Sequence, residues 1–553
     1  MRKRLLYVIL YLVSLTAYGQ KSHSYEIGKN IDLFNRVYRT LDEYYVDTLH
    51  AEKLIPDAIQ YLLGGLDPYT EYIPAEDTRN LQALTTGKYA GIGAVIRYYK
   101  DKDRCMIFEP YENMPAAVAG VRAGDIILSI AGKDTGKKGD KPTDEYTSSI
   151  SNQLRGDPNT SFILEVERPG VKDTLRFEIH RSNITMAAVP YSAMLTDSIG
   201  FIKLTTFTRG CSDHVLKALQ DLKKQGAKSL VLDLRDNGGG LAIEAVDLVN
   251  LFVPKGELIL SMKGKYKTSN VKYFSRNKPE DLDIPLVILV NGHSASSSEI
   301  TCGALQDLDR AVIMGERTFG KGLVQQPHEL PYGSVLKLTT SHYYIPSGRC
   351  IQALDYSRRT PSGEAYRTPD SLTHVFKTSA GREVRDGGGV TPDIKVASDS
   401  LPNLIYYLRA SDRLQDYCTQ YRNLHDTIAD AKSFCISDKD FEEFKQFIAG
   451  SDFTYDRQSF KALQELRKIA KHEGYGDSAT AEFDALEKKL SHDINHDFNY
   501  WKKDIVQELN AEICLRYYYR RGYYASILQK DKVIHEAVEL LRNPKRYNKI
   551  LRK

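Results

Sequence analysis

Four textures of apolar and polar positions follow one another along this chain, and each predicts a different kind of structure. From about residue 27 to 84 the apolar residues fall at helical spacing, as in Ile31, Phe34, Val37, Tyr38 and Leu41. This predicts a small helical lead-in, interrupted at Leu66-Asp67-Pro68-Tyr69-Thr70 by a turn. From Gly87 to about Arg181 the runs shorten to strand length, with Gly91 to Ile96 at the start, Ile126 to Ile130 in the middle and Phe162 to Val166 near the end. From about Ser198 to Val396 strands alternate with helices. Lys228 to Arg235 reads as a strand, Asp236 to Gly240 as a tight turn, Ala242 to Phe252 as a helix and Pro285 to Val290 as a buried strand. Repeated βα units imply parallel strands joined by right-handed crossovers, hence an α/β core. Beyond Ser400 helix formers dominate, including Phe444 to Ile448, Phe460 to Ile469 and Asp531 to Leu541, and no catalytic pattern is present. Tyr517 to Arg521 reads there as a half-buried, solvated helix face. The layout expected is a leader at 1–19, a helical region at 20–86, a β-rich domain at 87–182, an α/β core at 183–400 and a helical region at 401–553.

Composition narrows the class. A chain of 553 residues exceeds one core and calls for three or four domains, and 42% hydrophobic with 27% charged residues are globular values. Its 76 basic and 72 acidic residues nearly cancel, which argues against nucleic acid as a partner. The amino terminus, Met1-Arg2-Lys3-Arg4 followed by an uncharged run from Leu5 to Leu15 and small residues around Ala17-Tyr18-Gly19, has the form of a secretory signal cleaved after Gly19. The mature chain is therefore expected outside the cytoplasm, in the periplasm. An uncleaved segment would instead anchor it to the membrane, although the run is short for a full span. No cysteine follows to carry a lipid. The seven cysteines are odd in number and form no CxxC pair, so neither a disulfide framework nor a zinc site is expected. They read as buried thiols, with Cys302 facing the core; a Cys418–Cys435 pair is the alternative.

Within the second texture, Pro115-Ala116-Ala117-Val118-Ala119-Gly120-Val121-Arg122-Ala123-Gly124-Asp125-Ile126-Ile127-Leu128-Ser129-Ile130 resembles a PDZ domain. In such domains a Gly-x-Gly loop, here Gly91-Ile92-Gly93-Ala94, offers backbone amides to a peptide carboxylate while the adjoining strand edge takes the peptide as an extra strand. Glycine lets that loop turn its amides toward one point.

Candidate chemistry lies in the third texture. Asn291-Gly292-His293-Ser294-Ala295-Ser296-Ser297-Ser298-Glu299 follows the buried strand, and Ser296-x-x-Glu299 has the form of a helix-opening capping box. A serine on such a strand-to-helix turn is lifted off the sheet edge, next to a helix amino end that favours developing negative charge. The same residues also fit a flexible turn with a helix cap. A serine hydroxyl needs a base, either a histidine or a neutral lysine. Lys321, flanked by Gly320 and Gly322 with apolar Leu323 nearby, is a candidate, because a lysine serves only where its surroundings lower its pKa. Gln325, four positions on, shares its face and would orient a neutral amine without favouring the charged form. A solvent-facing loop lysine is the plainer reading. His293, His328 and His342 lie in the region, and a triad needs an acid behind its histidine. None stands out, and His293 reads as a turn residue beside the site. Asp236-Asn237-Gly238-Gly239-Gly240 fits neither common nucleotide loop.

Leu234 to Gly240, Ser294 to Ile300, Gly303 to Asp307, Gly320-Lys321-Gly322 with Gln325, and Gly389-Val390-x-Pro392-Asp393-Ile394 are together similar to the carboxyl-terminal processing, or tail-specific, proteases. The resemblance covers about residues 27 to 400. It implies a multidomain α/β protein with a crotonase/ClpP-like core, a PDZ domain and helical regions at both ends. It implies Ser296 as nucleophile, Lys321 as general base and Gln325 as the residue orienting that lysine. It further implies an oxyanion held by the amides of Ser297 and Gly239, with Gly238 or Gly240 as alternatives. Arg155, in Leu154-Arg155-Gly156, matches an arginine that links peptide occupancy to the catalytic arrangement. Ser297 stands where such enzymes commonly have alanine, and His293 where glycine or lysine is usual. The function implied is an exported serine endopeptidase, free of metal or cofactor, that captures carboxyl-terminal residues of protein or peptide substrates and cleaves upstream. An adaptor protein or further copies of the chain are partners left open. A non-catalytic PDZ adaptor and a crotonase-like acyl-CoA enzyme are the alternatives in other classes.

Overall fold

The structure is a computed structural model, and it describes residues 23–397, 402–490 and 493–552. The signal-like segment, residues 1–19, and the expected boundary at 400/401 lie outside these residues. Among the described residues, no helix is long and apolar enough to cross a membrane. The chain divides into two compact bodies, one made of residues up to Pro74 with 327–338, the other of 75–326 with 339 onward.

In the first body, helices α1 (His23–Tyr44) and α2 (Ala51–Gly64) bear out the helical lead-in. The turn at residues 66–70 forms as read, with the Asp67 carboxylate accepting the N–H groups of Tyr69 and Thr70 at 2.8 and 2.9 Å. A short strand, Glu71–Ile73, was not anticipated, and it pairs antiparallel with Val335 to Lys337. The apolar face of α1 forms at the expected spacing but stays exposed, including Ile31, Phe34, Val37 and Leu41.

The second body carries the rest. Strand β1 (Lys88–Gly91) leads into a sheet containing β2 (Ala94–Tyr99), β3 (Arg104–Pro110), β4 (Ile126–Ile130), β5 (Ser161–Glu167) and β6 (Leu175–His180), spatially in that order and antiparallel. Helix α3 (Thr143–Leu154) covers its apolar face, where Ile107, Ile127, Leu164 and Ile179 are fully buried. Strand β7 (Ser182–Thr185) pairs back onto β1.

The next sheet is the heart of the molecule. Its strands β8 (Tyr191–Thr196), β9 (Ile199–Lys203), β10 (Ser229–Asp233), β11 (Leu286–Val290), β12 (Val312–Gly315) and β13 (Ile394–Lys395) lie in that order. All neighbours are parallel except the β8–β9 pair. Its central strands are nearly continuous apolar runs, as in Leu286 to Val290, because both faces are covered. Leu230, Leu232, Leu286, Ile288 and Ile313 point to one face, beneath helices α4 (Cys211–Lys224), α5 (Ala242–Asn250) and α6 (Ser297–Asp307). Phe201, Val231, Val287, Leu289, Val312 and Met314 point to the other.

The cover of that second face comes from the far end of the chain. After helix α7 (Lys502–Ile527), helices α8 (Lys532–Leu541) and α9 (Pro544–Leu551) lay Val533, Ile534, Ala537, Leu540 and Leu551 against the sheet. The Tyr547 hydroxyl donates to the Leu286 carbonyl at 3.0 Å and accepts the Leu286 N–H at 2.9 Å, pinning α9 to the start of β11. The sequence read this region as helical, correctly, without assigning it a role; its last helices are a layer of the core. The remaining helices enclose their own core of Phe441, Phe444, Phe498, Ile505 and Leu509. All seven cysteines are free, and Cys302 is buried as expected, whereas Cys350 is half-buried and Cys435 exposed.

Burying a large apolar side chain is worth about 2 kcal/mol, and net stability is about 5–15 kcal/mol. Deleting residues 532–552 uncovers a whole sheet face. The truncated chain is expected to be insoluble or to lose cooperative unfolding, as seen by solubility and near-ultraviolet circular dichroism; a soluble, cooperatively folding product would contradict this packing.

Candidate active site

Two loops meet at the carboxyl edge of the parallel sheet. The first follows β10 and carries Asp236 to Gly240. The second follows β11 and runs from Asn291 into α6. Ser296 is the residue before α6, with φ 55 and ψ −113, a backbone conformation that side chains other than glycine rarely adopt. Such a strained strand-to-helix turn is what projects a nucleophilic hydroxyl.

The four serines of this loop are not equivalent. Ser294 donates to the Leu234 carbonyl at 2.8 Å, Ser297 to that of Gly240 at 2.9 Å and Ser298 to that of Asn237 at 2.8 Å. All three are fully buried, and their hydroxyls stitch the serine loop onto the glycine turn. Ser296 is only half-buried. Its carbonyl accepts the hydroxyl of buried Tyr343 at 3.2 Å.

The glycine turn is pressed directly against this elbow. Gly239 has φ 100, and a Cβ there would stand 2.8 Å from the Ser296 Cβ and 2.9 Å from the Ser297 nitrogen. Only glycine permits that approach. The Gly239 N–H itself donates to Asn237 Oδ1 at 2.9 Å. The Gly239 amide is thus already engaged within the turn, and the Ser297 N–H lies beside it at the start of α6.

Lys321 is brought to the same place by one carboxylate. Glu299, fully buried in the first turn of α6, accepts the Ser296 N–H and the Lys321 N–H on Oε2, each at 2.9 Å. Those two backbone nitrogens are thus no further apart than twice that distance. Its Oε1 accepts the Gly320 N–H at 2.7 Å and the Thr318 hydroxyl at 2.5 Å. Gln325 lies on the following strand, Leu323–Glu329, where its Nε2 donates to Thr339 Oγ1 at 3.0 Å. That leaves its oxygen as the atom suited to receive an amine N–H.

The PDZ-like residues also converge. Tyr89, Ile92, Ala94, Ile96, Ser151, Leu154 and Arg155 line a cavity of about 50 Å³ between β2 and α3. The Arg155 guanidinium lies over the Tyr89 ring, 5.4 Å from its centroid. Gly93, at φ 70, turns the chain between Ile92 and Ala94.

Three protein-family models match the chain: Peptidase family S41 over residues 198–357, PDZ domain over 107–168, and Probable PDZ-protease, C-terminal helical domain, over 404–541. A carboxy-terminal-processing protease of Bartonella bacilliformis is 34% identical over 371 residues, spanning 66% of this chain and 82% of that protein. The chain belongs to the carboxy-terminal-processing proteases of peptidase family S41. A probable CtpA-like serine protease of Staphylococcus aureus is also 34% identical, over 323 residues that span 58% of this chain and 62% of that protein. Among solved structures, the photosystem II D1 C-terminal processing protease is 27% identical, covers 67% of this chain and 94% of its own, and superposes with a TM-score of 0.35. Members of family S41 are serine peptidases that work through a serine–lysine dyad, so the protein is a serine-type peptidase carrying a PDZ domain.

Within that family frame, Ser296, Ser297, Gly239 and Lys321 share one site, and Gly91 to Ala94 with Arg155 share another. His293 is exposed, its N–H held by Asn291 Oδ1 at 3.1 Å, which suits a turn residue. Sequence reasoning missed the central part played by Glu299. The capping box gave one of its four hydrogen bonds, and nothing local pointed to the partners at 318, 320 and 321. It also missed Tyr343.

Burial pushes the Glu299 carboxyl up to about 7 from the usual 4.5, against the pull of its hydrogen bonds from Thr318 and then from the Lys321, Gly320 and Ser296 amides. The ionised form accepts all four donors, and protonation removes an acceptor site. Because the folded value exceeds the unfolded one, Glu299 favours folding fully below pH 4.5 and loses that contribution as pH rises through 7. Glu299→Gln is expected to lower kcat by about one to two orders of magnitude through unpaired amides. Its stability deficit against the parent should shrink by on the order of 3 kcal/mol between pH 4 and pH 8, measured by denaturant melts. A deficit constant with pH would show that Glu299 does not titrate there.

Proposed function

We propose that this chain is an exported endopeptidase in which the PDZ domain captures the carboxyl-terminal residues of a protein and Ser296 cleaves upstream of them. The observation that carries this reading is the strained elbow at Ser296 with Gly239 packed against it. Neutral Lys321 takes the Ser296 proton as Oγ attacks the scissile carbonyl. The oxyanion is held by the Ser297 amide and one amide of the glycine turn, each worth about 3 kcal/mol in the transition state. Lys321 then protonates the leaving amine, and an acyl-enzyme on Ser296 remains. Water attacks that ester with Lys321 again as base, releasing the new carboxylate and restoring the hydroxyl. Gln325 orients the amine through its oxygen. The signal-like residues 1–19 support a periplasmic location after cleavage before Gln20, with the substrate's free carboxylate received by the Gly91, Ile92, Gly93 and Ala94 loop.

Ser296→Ala and Lys321→Ala should each reduce cleavage of an unstructured protein with an apolar tail by at least about a thousandfold while leaving its binding intact. Retained turnover in the lysine variant would sink the dyad. If Arg155 links groove occupancy to chemistry, Arg155→Ala should still bind a tail peptide, by fluorescence anisotropy, yet cleave about tenfold more slowly; turnover at the parent rate would refute that role.

A further inference from the structure

The helical region after residue 402 contacts both the PDZ domain and the loop before the glycine turn, and one segment of it reaches both. Helix α7 is broken at Tyr519, whose φ of 55 and ψ of −159 fall in a region that is essentially glycine territory. Before the break α7 packs in the helical domain's own core through Ile505, Leu509 and Ile513. At the break the chain folds tightly on itself, and a Cβ on Gly522 would stand 2.4 Å from that of Tyr518. After the break the chain reaches the PDZ domain. Arg520 Nε donates to Glu109 Oε1 at 2.8 Å and its Nη2 to Oε2, and Arg521 pairs with Glu112 at 3.1 Å. Glu109 sits on β3 opposite Val95 of β2, the strand that borders the peptide cavity. The helical domain grips β2 directly as well, through Arg97 to Asp412 at 2.5 Å.

The same segment then runs to the catalytic core. Tyr524 packs on Tyr191 of β8 with ring centroids 6.0 Å apart. Asp531 accepts the Val533 and Ile534 amides on Oδ1, capping α8, and pairs through Oδ2 with Arg235 at 2.7 Å. Arg235 is the residue immediately before the glycine turn. Its guanidinium also holds Asp233, and its carbonyl accepts the Lys203 ammonium at 2.6 Å. The base of the oxyanion turn is therefore fixed by a partly buried network of two cations and two carboxylates, one of which belongs to the carboxyl-terminal domain.

We propose that the segment from Tyr519 to Asp531 is a mechanical link between the PDZ domain and the oxyanion turn, with Asp531 a positioning residue for catalysis. The proposal rests on the assignment of Ser296 and the glycine turn given above. Coupling between sites needs an element with two arrangements. Tyr519 supplies one, because its strained conformation and the ordinary helical one direct the arm after it differently. A displacement of the PDZ domain, gripped at Glu109, moves Arg520 and hence the arm, and Asp531 passes the shift to Arg235.

The test uses the full-length protein, a short quenched peptide substrate lacking an apolar tail, and a separate apolar-tail peptide as activator. The tail peptide is expected to raise parent kcat at least about fivefold. Asp531→Asn keeps a good helix cap but loses the ion pair, and should lower kcat about tenfold with KM unchanged, Asp531→Glu restoring part of it. Arg520→Gln should bind the tail peptide as tightly as the parent and keep basal turnover, but lose the stimulation. The double variant should respond no less than Asp531→Asn alone, the non-additivity expected of one pathway. Parent kcat in Asp531→Asn, full stimulation in Arg520→Gln, or no stimulation of the parent overturns the link. If Asp531→Asn fails to fold, Arg520→Gln at the PDZ contact still decides. Labelling of the parent by a fluorophosphonate separates the two readings, since failure to label Ser296 counts against the nucleophile rather than the link.

Discussion

A parallel sheet built from strands that are apolar on both sides tolerates water on neither, and this constraint organises the molecule. Helices α4, α5 and α6 cover one face, and α8 and α9 cover the other. The elbow at Ser296 stands at the edge of that sheet. Both loops that form it leave adjacent strands, β10 and β11, so their spacing is set by the ladder between those strands rather than by the loops themselves. Rigidity of this origin is what a preorganised site requires, since amides aimed at a developing charge help only if they need not move to meet it.

On that platform a single carboxylate fixes Ser296 and Lys321 relative to each other. Glu299 receives backbone N–H groups from both the elbow and the lysine loop, so the serine and lysine are registered through main chain, not through their flexible side chains. Isolating a carboxylate from water is costly, and four donors offset much of that cost. The three stitched serines play the complementary part, tying the elbow to the glycine turn. Ser297 is instructive: its hydroxyl donates to the Gly240 carbonyl, while its amide remains at the helix start.

What was legible in the sequence follows the range of the interactions. Periodicity located β10, β11, α5 and α6, because each depends on its own residues and on burial. The motifs around Ser296 and Lys321 stood out only through their resemblance to a family, since the residues alone fitted a turn with a helix cap and a loop lysine equally well. Glu299 was visible only as a helix cap, since three of its four partners come from a loop about twenty positions away. The role of the last helices was invisible for the same reason. Nothing in Lys532 to Leu541 says which sheet its apolar stripe will cover. The break at Tyr519 runs against local propensity, which gives tyrosine no reason to take up a glycine conformation. The state of the Gly239 amide depends on the one hydrogen bond it donates to Asn237 Oδ1, which spacing does not reveal.

The order of α8 and α9 after every strand of the sheet they cover has a consequence for biosynthesis. A polypeptide emerges amino end first, so the strands leave the ribosome well before the second wall that packs on them. Until that wall emerges, the sheet that carries Ser296 has an open apolar face, and Arg235 lacks its partner Asp531. The nascent sheet must therefore wait, half covered, for helices made long after its last strand.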